Sequence, residues 1–170
     1  MRLLGLDPGL RVTGWGVVDA EGNRLRHVAD GVVRAPADGP LADRLAALFA
    51  GLEQVLDAWR PDEAAVEETF VNRNGASTLK LGQARGIVML APARRGLPVA
   101  EYPANLVKQS LVGVGHAEKA QVAMMVRTLL PGCRLEAPDA ADALAVAICH
   151  ANHRGSLSRW NAAAAAGRSR

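Results

Sequence analysis

The stretch that decides the fold is residues 3–18, LLGLDPGLRVTGWGVV, in which an acidic, glycine-containing turn separates two apolar runs. Apolar runs on either side of turn-forming residues predict two antiparallel strands. A third β-like run covers residues 25–33, after a DAEGN turn signal, and completes a predicted three-stranded meander. Asp7 stands at the end of the first strand, where a carboxylate reaches the surface without needing a buried partner.

Helices and strands alternate after the meander. From Pro40 to Trp59 the apolar residues recur on one helical face, and Arg60 and Pro61 end the helix. Further strands are predicted at residues 62–67 and 97–102, and further helices at residues 77–91 and 118–130 and from Asp139 onward. A meander followed by this alternation is the order of the ribonuclease H-like fold. We therefore predict an α/β protein with a five-stranded mixed sheet flanked by helices.

Composition predicts one globular, soluble domain. The chain has 170 residues, of which 49% are hydrophobic, which is enough for one sizeable core. We expect this domain to cover residues 1–153 and to be followed by a flexible, basic and alanine-rich tail, residues 154–170. Two cysteines form neither a disulfide framework nor a zinc pattern. No apolar run is long enough for a membrane span or a signal peptide, so we expect a cytoplasmic protein without membrane association.

Four carboxylates lie at the ends of apolar stretches: Asp7, Glu67, Asp139 and Asp142. The last two are i and i+3 on one helix face, so both can reach one cleft. Mg²⁺ prefers oxygen ligands, and a pair of such ions activates water and stabilises the leaving oxygen of a phosphodiester. The four acids together predict a metal-dependent nuclease. Singly, Asp7 could instead form a turn and Asp139 could cap a helix.

Charge is distributed unevenly along the chain. Residues 70–134 carry nine basic residues against two acidic ones, whereas residues 1–69 carry seven basic and twelve acidic residues. A basic middle beside an acidic centre is what binding and cutting a phosphate backbone requires. A solvated surface with chance clustering would give the same count. Lysines are rare here, which draws attention to Lys80, Lys108 and Lys119.

Six blocks of sequence, in order and at matching spacing, resemble the RuvC family of Holliday junction resolvases. They extend over nearly the whole chain up to His153. The blocks are LLGLDPGLRVTGWGVV, AVEETFVNRN, LKLGQARGIV, VKQSLVGVGHAEKAQV, MVRTLL and DAADALAVAICH.

The resemblance implies a homodimeric endonuclease that makes two symmetric nicks in a four-way DNA junction, in homologous recombination and DNA repair. The four acids match the family's metal-binding positions, with two Mg²⁺ ions in each active site and Mn²⁺ as a substitute. Lys108 and Lys119 match catalytically important lysines, although they could simply neutralise the backbone. The family also implies a RuvA/RuvB branch-migration complex as partner. The helix with Gly82 and Gly86 would pair with its copy, or would use the glycines for ordinary packing.

The loop after Glu67 carries two predicted DNA contacts, Phe70 and Arg73, and Lys80 is assigned to DNA binding with them. An exposed ring beside a nuclease centre suggests stacking on bases, as at the matching family position. A ring folded onto the core is the alternative. We assign no role to His116, His150 or His153.

Three other functions remain open at this stage. An ATPase of the actin and sugar-kinase type begins with a similar strand and turn but needs two such domains. A ribonuclease H-like nuclease acting on ribosomal RNA precursors shares the opening strand but lacks the AVEETF and LKLGQARG blocks. A non-catalytic junction-binding module would keep the basic middle without needing the acids. Cleavage of a synthetic junction with Mg²⁺ would separate these alternatives.

Overall fold

The computed structural model of this chain describes residues 1–68 and 74–167. The predicted meander and the alternation of helices and strands are both present. The elements in chain order are β1 (Arg2–Asp7), β2 (Val12–Glu21), β3 (Arg24–Arg34), α1 (Leu41–Trp59), β4 (Glu63–Glu68), α2 (Gly75–Arg94), β5 (Val99–Pro103), α3 (Ala104–Val112), α4 (Lys119–Leu129) and α5 (Pro138–Gly167).

The five strands form one mixed sheet in the order β3-β2-β1-β4-β5. The meander strands β1, β2 and β3 pair antiparallel, whereas β4 pairs parallel with both β1 and β5. The prediction of a five-stranded mixed sheet flanked by helices is confirmed. This order places β1 and β4, the two strands that carry predicted acids, side by side in the centre of the sheet.

Helices cover both faces of the sheet. On one face α1 and α2 pack against the strands through residues such as Leu48, Leu52 and Val88. On the other face α3, α4 and α5 share a second core, in which Leu144 and Ile148 of α5 are fully buried. Burial of this apolar surface stabilises the fold at roughly 25 cal/mol per Å² removed from water.

Glycines let α5 lie unusually close to the sheet. A Cβ at Gly5 of β1 would lie 2.1 Å from the carbonyl oxygen of Ala143, and one at Gly14 of β2 would lie 2.0 Å from that of Asp139. Real Cβ atoms do not approach backbone oxygens so closely, so a larger residue at either position would push α5 away. The glycines therefore set the depth at which the first turns of α5 lie on β1 and β2.

The last helix is longer than its sequence suggests. We predicted helix to about His153 and a flexible tail beyond it, but α5 continues to Gly167. The run of five alanines at residues 162–166 favours helix in the last part of this extension, because alanine has the highest intrinsic helix propensity. The division into a domain of residues 1–153 and a tail of residues 154–170 stays a prediction. Within residues 1–68 and 74–167, no helix is both long and apolar enough to span a membrane.

Candidate active site

Two central strands bring the first two acids to one edge of the sheet. Asp7 is the last residue of β1, and Glu67 is next to last in β4. The strands run parallel with Leu6 opposite Val66, so the two acidic residues follow at neighbouring positions. The carboxyl ends of adjacent parallel strands are where α/β proteins place ligand sites. Asp7 and Glu67 therefore lie at the edge where chemistry is expected.

The turn after Asp7 is held by a buried threonine. Thr13 Oγ1 donates a hydrogen bond to the carbonyl oxygen of Gly9 at 2.7 Å and accepts one from its backbone N–H at 3.2 Å. Thr13 is fully buried, so both bonds form away from solvent. They fix the β1–β2 connection and, with it, the end of the strand from which the Asp7 carboxylate projects.

The other two acids come from the first turns of α5. Asp139 and Asp142 lie one helical turn apart, and the backbone of Asp139 is seated against Gly14 of β2. Carboxylates are favoured at the amino-terminal end of a helix, where free backbone N–H groups carry a partial positive charge. The close seating of α5 on the sheet thus brings its acids toward those of β1 and β4.

A cleft of about 150 Å³ forms where these elements meet. Its charged lining comes from five elements of the fold, β1, β4, α3, α4 and α5, and consists of Asp7, Glu67, Lys108, Lys119 and Asp142. The Nζ of Lys119 donates a hydrogen bond to Asp142 Oδ2 at 2.8 Å. The cleft therefore contains three of the predicted acids and both predicted catalytic lysines, while Asp139 lies beside it.

A capping box sets the position of Lys119. Glu118 is the N-cap of α4, its side chain accepts from the backbone of Gln121, and the Gln121 side chain accepts from the Glu118 N–H at 2.9 Å. Such reciprocal bonds fix where a helix begins. Because Lys119 is the first residue of α4, the box also fixes the point from which its side chain reaches Asp142.

The acids in the cleft repel one another. Burial and then the charges of Glu67, Asp142 and Asp139 raise the pKa of Asp7 to about 8, against a partial counter-effect of Lys119. Burial and the charge of Asp142 also raise the pKa of Glu67, while Lys108 and Lys119 act in the opposite direction. The hydrogen bond to Asp142 raises the pKa of Lys119. The cleft thus holds more negative charge than its two lysines balance.

The donor set suits a hard divalent cation, because every candidate ligand is a carboxylate and the Asp7 carboxyl resists ionisation without added positive charge. Within the described ranges, no three His, Cys, Asp or Glu side chains are already arranged to hold an ion. Asp142, for example, is paired with Lys119. The four-acid metal site stays a prediction.

The remaining predicted residues lie elsewhere. Lys80 is exposed on α2 and is not part of the cleft lining. Phe70 and Arg73 fall outside the described residues, so their predicted DNA contacts stay predictions. His116 is exposed in the connection before α4. His153 is partly buried, and its Nδ1 bonds to the carbonyl oxygen of Cys149 at 2.9 Å.

Sequence reasoning missed one buried polar group near the site. His150, to which we assigned no role, is buried on α5 and contacts both Tyr102 and Glu63. Its sequence signal was a histidine inside the apolar run ALAVAICH, where burial demands partners. The run alone does not show which partners, because they are 48 and 87 residues away in the chain.

The sheet order, with acids at the carboxyl ends of two central parallel strands and at the start of the helix packed on them, defines a ribonuclease H-like nuclease. A family model described as "Crossover junction endodeoxyribonuclease RuvC" matches residues 3–150. The chain therefore belongs to the RuvC family of crossover junction endodeoxyribonucleases, which are metal-dependent nucleases.

Similar proteins agree with this assignment over almost the full chain. The RuvC endodeoxyribonuclease of Paramagnetospirillum magneticum is 69% identical over 155 residues, covering 91% of this chain and 93% of the relative. That of Rhodospirillum rubrum is 66% identical and covers 99% of this chain and 100% of the relative. The structure of T. thermophilus RuvC in complex with a Holliday junction substrate is 38% identical, has a TM-score of 0.81, and covers 89% of this chain and 93% of the other.

Proposed function

We propose that this chain is a structure-selective endonuclease that resolves four-way DNA junctions by two symmetric metal-dependent nicks, in recombination and repair. The observation that carries the proposal is the cleft in which Asp7, Glu67 and Asp142 converge with Lys108 and Lys119. The relatives support it, since one of them, T. thermophilus RuvC, has been solved in complex with a Holliday junction substrate.

Each side chain of the cleft has a distinct part in the proposed reaction. The four acids would hold two Mg²⁺ ions, with Mn²⁺ as a substitute, through carboxylate oxygens. Bound ions of this kind activate a water molecule and stabilise the leaving oxygen of a phosphodiester. Lys108 and Lys119 supply point charges at the cleft wall, where they can hold the scissile phosphate.

The Lys119–Asp142 pair suggests how part of the negative charge in the cleft is neutralised before DNA arrives. The Lys119 side chain is 79% exposed, so it can turn outward at little cost, whereas that of Asp142 is 20% exposed. Exposed ion pairs of this kind contribute about 0–1 kcal/mol. We infer that Lys119 separates from Asp142 when a cation binds and then pairs with the scissile phosphate. The same lysine would therefore neutralise an acid of the cleft first and a phosphate of the DNA afterwards.

The same proposal includes a homodimer formed through α2. Leu79, Gly82, Gly86 and Leu90 lie on one stripe of this helix, and the two leucines are 65% and 47% exposed. A Cβ at either glycine would meet open space within the chain, so neither glycine is needed for packing inside it. An isologous contact between two copies of this stripe would place two active sites symmetrically on a symmetric junction.

Further parts of the proposal concern the DNA and other proteins. Phe70 would stack on bases at the crossover, and Arg73 and Lys80 would contact the backbone. A RuvA/RuvB branch-migration complex would be the protein partner. The proposal places the enzyme in the cytoplasm, where free cysteines such as Cys133 and Cys149 stay reduced.

The test is cleavage of a synthetic four-way junction in Mg²⁺, compared with a linear DNA duplex and with a structured RNA precursor. We expect paired symmetric nicks in the junction and little cleavage of the other two. Preferential cleavage of RNA would support the alternative of an RNA-processing nuclease. Tight junction binding without cleavage in Mg²⁺ or Mn²⁺ would support the alternative of a non-catalytic binding module.

A further inference from the structure

A hydrogen-bonded network of three polar side chains, Tyr102, His150 and Glu63, lies in the core between α5 and the sheet. The Tyr102 hydroxyl lies 2.9 Å from His150 Nδ1, and His150 Nε2 lies 2.8 Å from Glu63 Oε2. Tyr102 is 3% exposed and His150 is 4% exposed. Burying polar groups is costly unless each has a partner. Here both ring nitrogens of His150 are satisfied, and the two bonds join three different elements of the fold.

The direction of the hydrogen bonds follows from the groups present. The Glu63 carboxylate only accepts, so His150 Nε2 carries the proton and donates, and Nδ1 accepts from the Tyr102 hydroxyl. Burial lowers the pKa of His150, although Glu63 opposes this, and burial raises the pKa of Tyr102. The imidazole and the phenol are therefore both neutral. Both hydrogen bonds run in the same direction, with Tyr102 donating to His150 and His150 donating to Glu63.

Glu63 and Tyr102, the two ends of this hydrogen-bonded network, belong to strands close to residues of the proposed active site. Glu63 begins β4 and lies on the same face of that strand as Glu67, four residues later. Tyr102 of β5 lies opposite Glu67 of β4 in the sheet. Two residues after Tyr102, Ala104 begins α3, the helix that carries Lys108. His150 lies eight residues after Asp142 on α5.

Apolar packing holds α5 against the sheet. The helix meets the sheet through small and aliphatic side chains such as Ala143, Leu144 and Ala147. Burial of such surface is favourable but not directional. The two hydrogen bonds at His150 add a directional constraint to this contact.

We propose that His150 is a positioning residue that holds α5 at the axial position where the Asp142 carboxylate can share a cation with Glu67. The inference rests on the proposed metal site. His150 does not touch substrate or cation. It acts through β4, β5 and α5, in the way that residues outside a metal site orient its ligands.

The test uses His150→Phe, which keeps a ring of similar size and loses both hydrogen bonds, in the full chain. We expect the Mg²⁺ concentration for half-maximal junction cleavage to rise about tenfold or more, as when residues supporting metal ligands are changed. Without DNA, the increase in Tm caused by a fixed Mg²⁺ concentration should shrink. Junction binding in chelator should stay within about twofold, because this step uses the basic surface rather than the acids.

Tyr102→Phe and a double variant test whether the hydrogen bond is responsible. Tyr102→Phe removes one hydroxyl and keeps the ring, so it should raise the Mg²⁺ midpoint less than His150→Phe. The double variant should behave as His150→Phe alone, because partners in one interaction are not additive. Ile148→Ala is the matched control, because Ile148 lies on the same helix, is fully buried and is not one of the three hydrogen-bonded side chains. It should lower Tm without moving the Mg²⁺ midpoint.

Three results would overturn the inference. The first is a His150→Phe protein with a lower Tm and an unchanged Mg²⁺ midpoint, which is the behaviour of an ordinary core residue. The second is a midpoint in Ile148→Ala shifted as far as in His150→Phe. If His150→Phe does not fold, Tyr102→Phe decides, and an unchanged midpoint there rejects the role. A wild-type chain that neither cleaves junctions in Mg²⁺ nor gains Tm from it would instead refute the proposed function itself.

Discussion

Lys119 Nζ lies 2.8 Å from Asp142 Oδ2, so an ammonium group is already paired with a carboxylate that is predicted to bind a metal ion. The two residues come from different helices, α4 and α5, and both line the cleft. The lysine and the ion compete for one carboxylate, although both are proposed to serve the same reaction. This relationship leads to the first prediction.

Lys119→Ala should separate metal binding from catalysis. Loss of the competing ammonium should increase the Tm gain produced by Mg²⁺, while junction cleavage should fall about 100-fold, the scale of removing one charge from a reacting phosphate. Thermal denaturation and single-turnover cleavage measure the two effects. Lys108→Ala is the control, because Lys108 also lines the cleft but leaves the Lys119–Asp142 pair in place. Weaker Mg²⁺ binding in Lys119→Ala would contradict the proposed exchange.

Asp7→Asn should abolish cleavage and leave junction binding largely intact. The carboxylate is proposed to hold metal, whereas the basic residues hold DNA, so the rate should fall more than about 1,000-fold, or ~4 kcal/mol of transition-state stabilisation. Gel-shift binding in chelator should change little. Glu67→Gln should behave in the same way, since Glu67 occupies the neighbouring strand end. Equal losses of binding and cleavage would mean that these acids are structural.

The stability of the metal-free chain should fall as pH rises toward 8. Asp7 has a pKa of about 8 in the folded state, above its usual value of 3.8, so the folded state binds this proton more tightly. The stability due to Asp7 is complete below pH 3.8 and is lost as pH rises through 8. Because burial lowers the pKa of His150, its contribution is lost on acidification instead, and comparison with Asp7→Asn separates the effect of Asp7 from that of other groups.

Urea denaturation in chelator between about pH 6.5 and about pH 8.5 measures the slope. Asp7→Asn should be more stable than wild type at pH 8 by about 1–3 kcal/mol. Linkage gives about 1.36 kcal/mol for each unit by which the pKa of Asp7 is raised, and the expected difference is smaller than that full sum. The difference between the two proteins should shrink toward pH 6.5. A constant difference across the range would show that the Asp7 proton is not the cause.

Gly86→Leu should convert a dimer to a monomer that nicks only one strand of a junction. The position is open within the chain, so a leucine should not disturb the fold and should even favour the helix by up to about 1 kcal/mol. Sedimentation at micromolar concentration and the ratio of single to paired nicks are the measurements. Gly82→Ala, on the same stripe, is a milder control. A wild-type monomer would refute the dimer directly.

Phe70→Ala should impair cleavage of intact junctions far more than it impairs binding. Loss of base stacking, worth about 1–3 kcal/mol, removes the distortion that brings the scissile strand to the acids. A pre-nicked junction already has that freedom, so Phe70→Ala should recover activity on it, whereas Lys119→Ala should not. Equal loss on both substrates, together with a much lower Tm, would place the ring in the core.

The sequence by itself determined the fold class, and it singled out Asp7, Glu67 and Asp142, which the structure brings to one cleft. Strand and helix assignments follow from local patterns: the period of apolar residues and the turn formers between them. Asp7 and Glu67 end apolar runs, which predicted that their carboxylates reach the surface at strand ends, whereas the parallel pairing that makes them neighbours came from the structure. The helix α5 runs past His153 to Gly167, so its end did not follow from the apolar pattern, whereas the division into domain and tail stays a prediction.

Only the tertiary structure decided how these parts meet. The seating of α5 on Gly5 and Gly14, the pairing of Lys119 with Asp142, and the contacts of His150 with Tyr102 and Glu63 join residues far apart in sequence. Local patterns fix which face of an element is buried, because burial depends on periodicity. Which distant side chain becomes its neighbour depends on packing in three dimensions, where a missing Cβ lets two elements approach and a directional hydrogen bond joins side chains from different elements.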